Sequence, residues 1–194
     1  MQSKRADVRI INSETLSDNW YILKKYTFDL QRRDGEWQRQ QREVYDRGNG
    51  ATILLYNREK KTVILTRQFR FPVFINGHED DLIEAAAGLL DNMAPESRIK
   101  AEAEEETGFH VTRVEKIFEA YMSPGSVTEK LYFYLAEYQP KDRTGVGGVI
   151  KAEGEDIDVL EMTLEEALRR IETGKIVDGK TIMLLYHIAL KGIL

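Results

Sequence analysis

The sequence predicts an α/β fold of the α+β kind: a mixed sheet sandwiched by helices and preceded by an N-terminal β extension. Three observations predict it. Short apolar, β-branched runs recur at 51–56, 62–66, 82–86, 111–121 and 131–137, separated by polar or glycine-containing turns and by a helical segment. Helix signals stand at 95–107, 164–173 and 180–190. Ahead of all of these, residues 8–45 alternate loosely in the manner of strands. At 194 residues, 42% of them hydrophobic, the chain suits one domain with a small extension.

The extension spans 1–47. Val8-Arg9-Ile10-Ile11, Trp20-Tyr21-Ile22-Leu23 and Tyr26-Thr27-Phe28-Asp29-Leu30 read as strands, Arg33-Asp34-Gly35-Glu36 holds an Asp-Gly hairpin turn, and 37–45 returns. Isolated hairpins are marginal in water, so these strands need partners within the chain or across a dimer. The main domain, 48–194, opens with strands 51–56 and 62–66 around the polar turn 57–61. Arg67-Gln68-Phe69-Arg70 prolongs the second strand, 71–77 breaks regularity, and 82–86 is one short strand. A helix over 95–107 is closed by Gly108, and strands 111–121 and 131–137 flank the loop Met122-Ser123-Pro124-Gly125-Ser126. The polar stretch 139–154, with Gly145, Gly147 and Gly148 close together, predicts a mobile loop. Thr163 caps helix 164–173, with Glu166 completing a capping box and Leu164, Ala167, Leu168 and Ile171 forming its apolar stripe. In the last helix Ile182, Leu185, Tyr186 and Ala189 are the expected core-facing set.

Composition excludes several chemistries. A net charge of −5 disfavours non-specific nucleic-acid binding and leaves any polyanionic substrate dependent on local arginines and metal. With no cysteines there is no disulfide, zinc–thiolate site or cysteine nucleophile. His78, His110 and His187 are scattered and make no ligand pair. The first residues lack an apolar signal core and no segment approaches membrane-spanning length, so a cytoplasmic protein with no membrane partner is expected.

The chemistry centres on helix 95–107. Glu102, Glu105 and Glu106 stand at i, i+3 and i+4, so their carboxylates leave one face, and like charges one turn apart disfavour the helix by a few tenths of a kcal/mol. A cation between them reverses that sign, and an all-oxygen donor set suits magnesium, with manganese as the alternative. The competing reading is an acidic, solvated face. Upstream, in Ala85-Ala86-Ala87-Gly88-Leu89-Leu90-Asp91-Asn92, Gly88 lets backbone approach a ligand and neighbouring carbonyls reach a metal. Gly88, a loop, and Glu102-x-x-Glu105-Glu106-x-Gly108-Phe109 together resemble the Nudix box. That motif marks hydrolases of nucleoside diphosphates linked to another group, and it implies a Nudix α/β/α sandwich. The family pattern puts a glutamate at position 94 and an arginine at 101, which here are Ala94 and Ala101, and the interval from Gly88 to Glu102 is one residue short.

Further groups can complete such a site. Glu153-Gly154-Glu155-Asp156 offers three carboxylates to a metal or as a base for water, and the alternative is a solvated loop. Arg70 ends a core strand where a guanidinium can grip phosphate, Arg42 and Glu43 can reach a base or sugar or form surface ion pairs, and Glu129 can accept from sugar hydroxyls. With Pro124-Gly125 beyond the box, Leu16-Ser17-Asp18-Asn19, the run 42–52, Arg67-Gln68-Phe69-Arg70, Gly88-Leu89-Leu90-Asp91-Asn92 and Asp178-Gly179-Lys180-Thr181, nearly the whole chain is similar to the GDP-mannose-cleaving members of the nucleoside diphosphate sugar branch. The resemblance implies magnesium on the Ala87 carbonyl, Glu102, Glu106 and Glu155. It implies substrate contacts from Trp20, Gln41, Arg42, Glu43, Arg70, Glu129 and Lys180, with close approach at Gly88. Catalytic work then falls to Glu102, Glu105, Glu153, Glu155 and Asp156. The expected reaction is GDP-mannose to GMP and mannose 1-phosphate. ADP-ribose hydrolysis is the second reading, and a non-catalytic nucleotide-sugar-binding regulator is the third. A homodimer whose extension reaches the partner's site is expected.

Overall fold

A computed structural model describes residues 7–148 and 156–194, which form two compact units. The first unit joins the N-terminal residues to the segment Ser123–Glu129. Strands β1 (Val8–Asp18), β2 (Ile22–Gln31) and β3 (Trp37–Asp46) make an antiparallel sheet in that order. The expected hairpin turn is present, with Gly35 at φ 91°. β1 runs seven residues beyond the apolar 8–11 segment, through Asn12–Asp18. Its polar half is held by the β2 ladder, with register shifts after Ile10 and Thr15, and side-chain alternation does not report such pairing. Ser123–Glu129 docks through backbone bonds. Tyr45 N–H donates to Ser126 O at 2.8 Å and Thr128 N–H to Tyr45 O at 3.1 Å.

The second unit holds β4 (Gly50–Asn57), β5 (Thr62–Gln68), the single-turn α1 (Phe71–Ile75), β6 (Leu82–Glu84), β7 (Ala86–Leu89) and α2 (Pro95–Thr107). It continues with β8 (Glu115–Tyr121), β9 (Lys130–Glu137), β10 (Asp158–Thr163), α3 (Leu164–Glu172) and α4 (Gly179–Lys191). Sheet order is β10-β5-β4-β9-β8, with β6 on β5 and β7 on β4. β4 and β9 run parallel and the other pairs antiparallel, so the sheet is mixed as expected.

Alternation along β4 assigns the layers. Leu54 and Tyr56 pack with Ala167, Leu184, Leu185 and Ile188 of α3 and α4. Ala51, Ile53 and Leu55 pack with Ile99 and Ala103 of α2 and with Phe109 and Tyr138. Covered on both faces, β4 is buried throughout and reads as a continuous apolar run. The result is the α/β/α sandwich.

Three local expectations need correction. The strand expected over 82–86 is two strands broken at Ala85, whose N–H donates to Thr181 Oγ1 at 2.7 Å. In α4 the buried set is Thr181, Leu184, Leu185 and Ile188, one position off the expected one, and Tyr186 is exposed. Apolar residues surround that helix, so periodicity does not select a face, whereas the Thr181 hydroxyl's bond to Ala85 does. In α3, Thr163 Oγ1 accepts from Glu166 N–H at 3.1 Å as expected, but the Glu166 carboxylate pairs with Arg169 and Arg170 instead of closing the box.

Candidate active site

α2 sits against β7 and carries its carboxylates within its buried stripe. Ile99, Glu102, Ala103, Glu106 and Thr107 are its buried residues, the i, i+3, i+4, i+7, i+8 pattern of a core-facing helix. Glu102 is 6% exposed and Glu106 4%, which removes the solvated-face reading for this pair. Glu105 stays at the exposed rim. Ala87 N–H donates to Glu106 Oε2 at 3.3 Å, bringing the β7 backbone to the helix where the metal set was expected. A Cβ on Gly88 would overlap the Glu102 carboxyl group and stand 2.8 Å from its Cγ, so only glycine admits that side chain.

Arg98 was not among the expected site residues. Its guanidinium meets Glu102 Oε1 at 2.5 Å, Glu105 Oε2 at 3.3 Å and the Leu89 carbonyl at 3.2 Å. One turn before Glu102, it holds that carboxylate although position 101 is alanine. The i, i+4 spacing was the available signal.

A second cluster forms around Glu84 at the end of β6, which is 2% exposed. Arg70 Nε lies 2.7 Å from its Oε1 and Lys180 Nζ 2.5 Å from its Oε2, and Lys180 also meets Asp178 Oδ2 at 3.1 Å. Asp178 caps α4 through Thr181 N–H at 3.0 Å, which fixes where Lys180 emerges. Burial pushes the Glu84 carboxyl upward, but Lys180 and Arg70 outweigh it and hold it below the usual carboxylate value. Burial pushes Lys180 downward, and Glu84 and Asp178 reverse this, holding the ammonium above the usual lysine value. Arg70, the expected phosphate grip, and Lys180, an expected substrate contact, are thus brought together on a buried carboxylate. Glu84 is three residues from Ala87, no more than about 10 Å of extended chain.

In the first unit, Trp20 is 82% exposed and touches the Tyr21 ring edge-on, with centroids 6.2 Å apart. Tyr21 meets Tyr45 at 5.8 Å, Arg47 lies over Tyr21 at 5.6 Å, and Arg47 Nε reaches Glu129 Oε1 at 3.6 Å. Gln41, Arg42 and Glu43 are consecutive and exposed on β3. Gln41 and Glu43 therefore share one face and Arg42 takes the other. Gln41 Nε2 donates to Thr27 Oγ1 at 3.3 Å and Arg42 Nη2 to Gln40 Oε1 at 3.1 Å. Asp156 is exposed, and Glu153 and Glu155 lie outside the described residues. Among the described residues no three acidic or histidine side chains gather into a metal cluster, and no helix is long and apolar enough to cross a membrane.

Residues 7–45 match the family described as GDP-mannose pyrophosphatase NudK N-terminal domain. The chain is 57% identical over 186 residues to GDP-mannose pyrophosphatase of Pectobacterium atrosepticum, covering 95% of each protein. The chain belongs to the GDP-mannose pyrophosphatase family of Nudix hydrolases. The Enterobacter sp. (strain 638) member is 55% identical, with 96% of this chain and 97% of that protein covered, and the Escherichia coli (strain K12) member 54%, with 93% and 94% covered. A crystal structure of an ADP compounds hydrolase superposes with a TM-score of 0.70 over 98% of both chains at 19% identity, which shows the shared fold. This family member therefore has the expected sandwich fold and is an enzyme.

Proposed function

We propose that this chain hydrolyses the pyrophosphate bond of GDP-mannose to GMP and mannose 1-phosphate, using magnesium or, in its place, manganese. The observation that carries the reading is the pair Glu102 and Glu106, buried one turn apart on a face that Gly88 leaves open. These residues fit a hard cation, since their donors are oxygens and buried carboxylates are stabilised by one. Glu102, Glu106, the Ala87 carbonyl and Glu155 would hold it. When bound, the metal neutralises phosphate charge and acidifies the attacking water. Arg98 orients Glu102 and Glu105, and Arg70 and Lys180, fixed by Glu84, supply positive charge for the phosphates. The base is one of Glu105, Glu153, Glu155 and Asp156, and single amide substitutions separate them by turnover. Trp20, Gln41, Arg42, Glu43 and Glu129 contribute base and sugar contacts.

The experiment is a panel of nucleoside diphosphate sugars with product identification, with and without EDTA. GDP-mannose turnover that EDTA abolishes is expected. Faster ADP-ribose turnover would move the substrate assignment, and binding without turnover would make the chain a regulator. The same reading includes a homodimer that covers the exposed Val8, Ile10 and Ile11 of β1 and lets each extension serve the partner's site. A monomer in sedimentation at full specific activity would refute that part.

A further inference from the structure

Glu106 occupies the last turn of α2, one residue before its end. Helix ends fray, and their last carbonyls have no partner within the helix. A metal-binding carboxylate there needs something to hold the turn closed.

The structure supplies it from the segment 143–148. The helix's own cap, Gly108 N–H, takes the Glu104 carbonyl at 2.9 Å, and from the segment Gly148 N–H takes that of Glu105 at 3.2 Å. Thr144 and Gly145 N–H both donate to Gly108 O, at 2.8 and 3.2 Å, and Thr144 Oγ1 donates to Glu104 Oε1 at 3.0 Å. Beyond the latch, Ile157 N–H donates to Gly148 O at 2.9 Å.

This contact needs bare backbone at two positions. Gly147 has φ 70°, and a Cβ there would stand 2.5 Å from Thr107 C, 2.6 Å from Glu106 O and 2.7 Å from Gly108 N. Those are backbone atoms of the helix end and cannot swing aside. Gly148 has φ 85°, and its Cβ would overlap the Ile157 carbonyl. Gly145 differs, because its Cβ would meet nothing nearer than Gly147 N at 3.9 Å, and its φ is not in the left-handed region. The glycines at 147 and 148 therefore serve close approach, where the composition of the segment suggested a mobile loop.

We propose that Gly147 and Gly148 are positioning residues: their backbone latches the last turn of α2 and so holds Glu106 where it binds metal. The proposal rests on Glu106 being a metal ligand, as in the function proposed above. The Gly147→Ala change should loosen the last turn, move the Glu106 carboxylate away from Ala87 N–H, and weaken the site without touching the substrate-recognition residues of the N-terminal sheet.

The test uses the full chain. Mn2+ affinity is measured without substrate, from the electron paramagnetic resonance signal of the free ion, alongside kcat and KM for GDP-mannose. Gly147→Ala is expected to weaken Mn2+ binding and lower kcat about tenfold each, with KM changed by less than about threefold and kcat partly restored by excess metal. Gly145→Ala should match the natural chain. A folded Gly147→Ala protein with unaltered Mn2+ affinity overturns the proposal, and so does an equal loss in Gly145→Ala, which would mark a hinge. Should Gly147→Ala fail to fold, Thr144→Val takes its place: about threefold weaker Mn2+ binding supports the latch, and unaltered binding overturns it. Glu106→Gln separates the two readings. If it keeps full Mn2+ affinity, the metal assignment has failed; if it loses affinity while Gly147→Ala does not, only the latch has failed.

Discussion

Helix α2 and the N-terminal sheet both carry residues expected at the site, and they depart from ordinary burial in opposite directions. α2 places two carboxylates in its buried stripe beside Ile99 and Ala103. The N-terminal unit leaves Val8, Ile10, Trp20 and Trp37 exposed, and among its described residues there is no helix to cover them. A buried charge and an exposed apolar surface are the two informative exceptions to the usual partition. In α2 the exception is prepared within one unit, by Gly88, Arg98 and the Ala87 N–H. In the sheet it fits the nucleobase contact and the second chain proposed above. Chemistry should therefore be sensitive to substitutions around α2 through kcat, and recognition to substitutions in the sheet through KM.

The largest effect should come from Glu106→Gln. It removes a charge and almost no volume, and the amide oxygen can still accept from Ala87 N–H. Turnover should fall about a thousandfold or more while the thermal midpoint holds or rises, since a buried charge is removed. Steady-state kinetics with a parallel melt by circular dichroism checks both. Turnover within tenfold of the natural chain would make α2 an ordinary packed helix and dissolve the contrast.

Next is Gly88→Ala, which changes no charge. The new Cβ would occupy the place of the Glu102 carboxyl group, forcing that side chain out of its contact with Arg98. A displacement on the order of 1 Å at a catalytic group is enough for a loss of about a hundredfold in kcat. An unchanged kcat would mean that Glu102 works from another position.

Much of this was legible in the residues. Glu102, Glu105 and Glu106 share one helix face by spacing, Gly88 ahead of them completes the box-like pattern, and Gly108 ends the helix at φ 75° as expected. Strands β4 and β9 announced themselves because both faces of each pack into the core. What was not legible depends on contacts distant in sequence. Glu84 gains its role from two cations on separate elements and β10 its place from the β5 ladder. The spacing also could not divide the three glutamates by burial. That division follows from α2's rotation against β7, which puts Glu105 at the rim.

Lys180→Met sharpens the comparison through stability. It leaves buried Glu84 paired with Arg70, and should destabilise the fold by about 2 kcal/mol, less than a fully broken buried pair because Arg70 remains. Glu84's folded pKa is held below the usual value, so its contribution is present above the unfolded pKa and lost as pH falls through the folded one. Removing Lys180 raises that folded pKa, and the acid limb of the stability profile should move to higher pH. On the alkaline side Lys180's raised pKa keeps its contribution until pH exceeds the ordinary lysine value. Thermal midpoints measured from about pH 3 to pH 8 give the answer, and an unmoved acid limb would mean that Glu84 is held by other groups.

The smallest effect should belong to Trp20→Ala, and it tests the other half of the contrast. Trp20 is 82% exposed and among the described residues its ring meets the edge of Tyr21, so the fold should lose less than about 0.5 kcal/mol. An indole face open to solvent can stack a nucleobase, worth about 1–3 kcal/mol. The expected result is a KM for GDP-mannose raised about tenfold with kcat within about threefold, because stacking at a base remote from the reacting phosphorus binds ground and transition states alike. Glu106→Gln should give the converse, a collapsed kcat with substrate affinity kept. If Trp20→Ala instead lowers kcat as far as it raises KM, the sheet takes part in organising the reaction. The division between prepared chemistry in one unit and surface recognition in the other would then not hold.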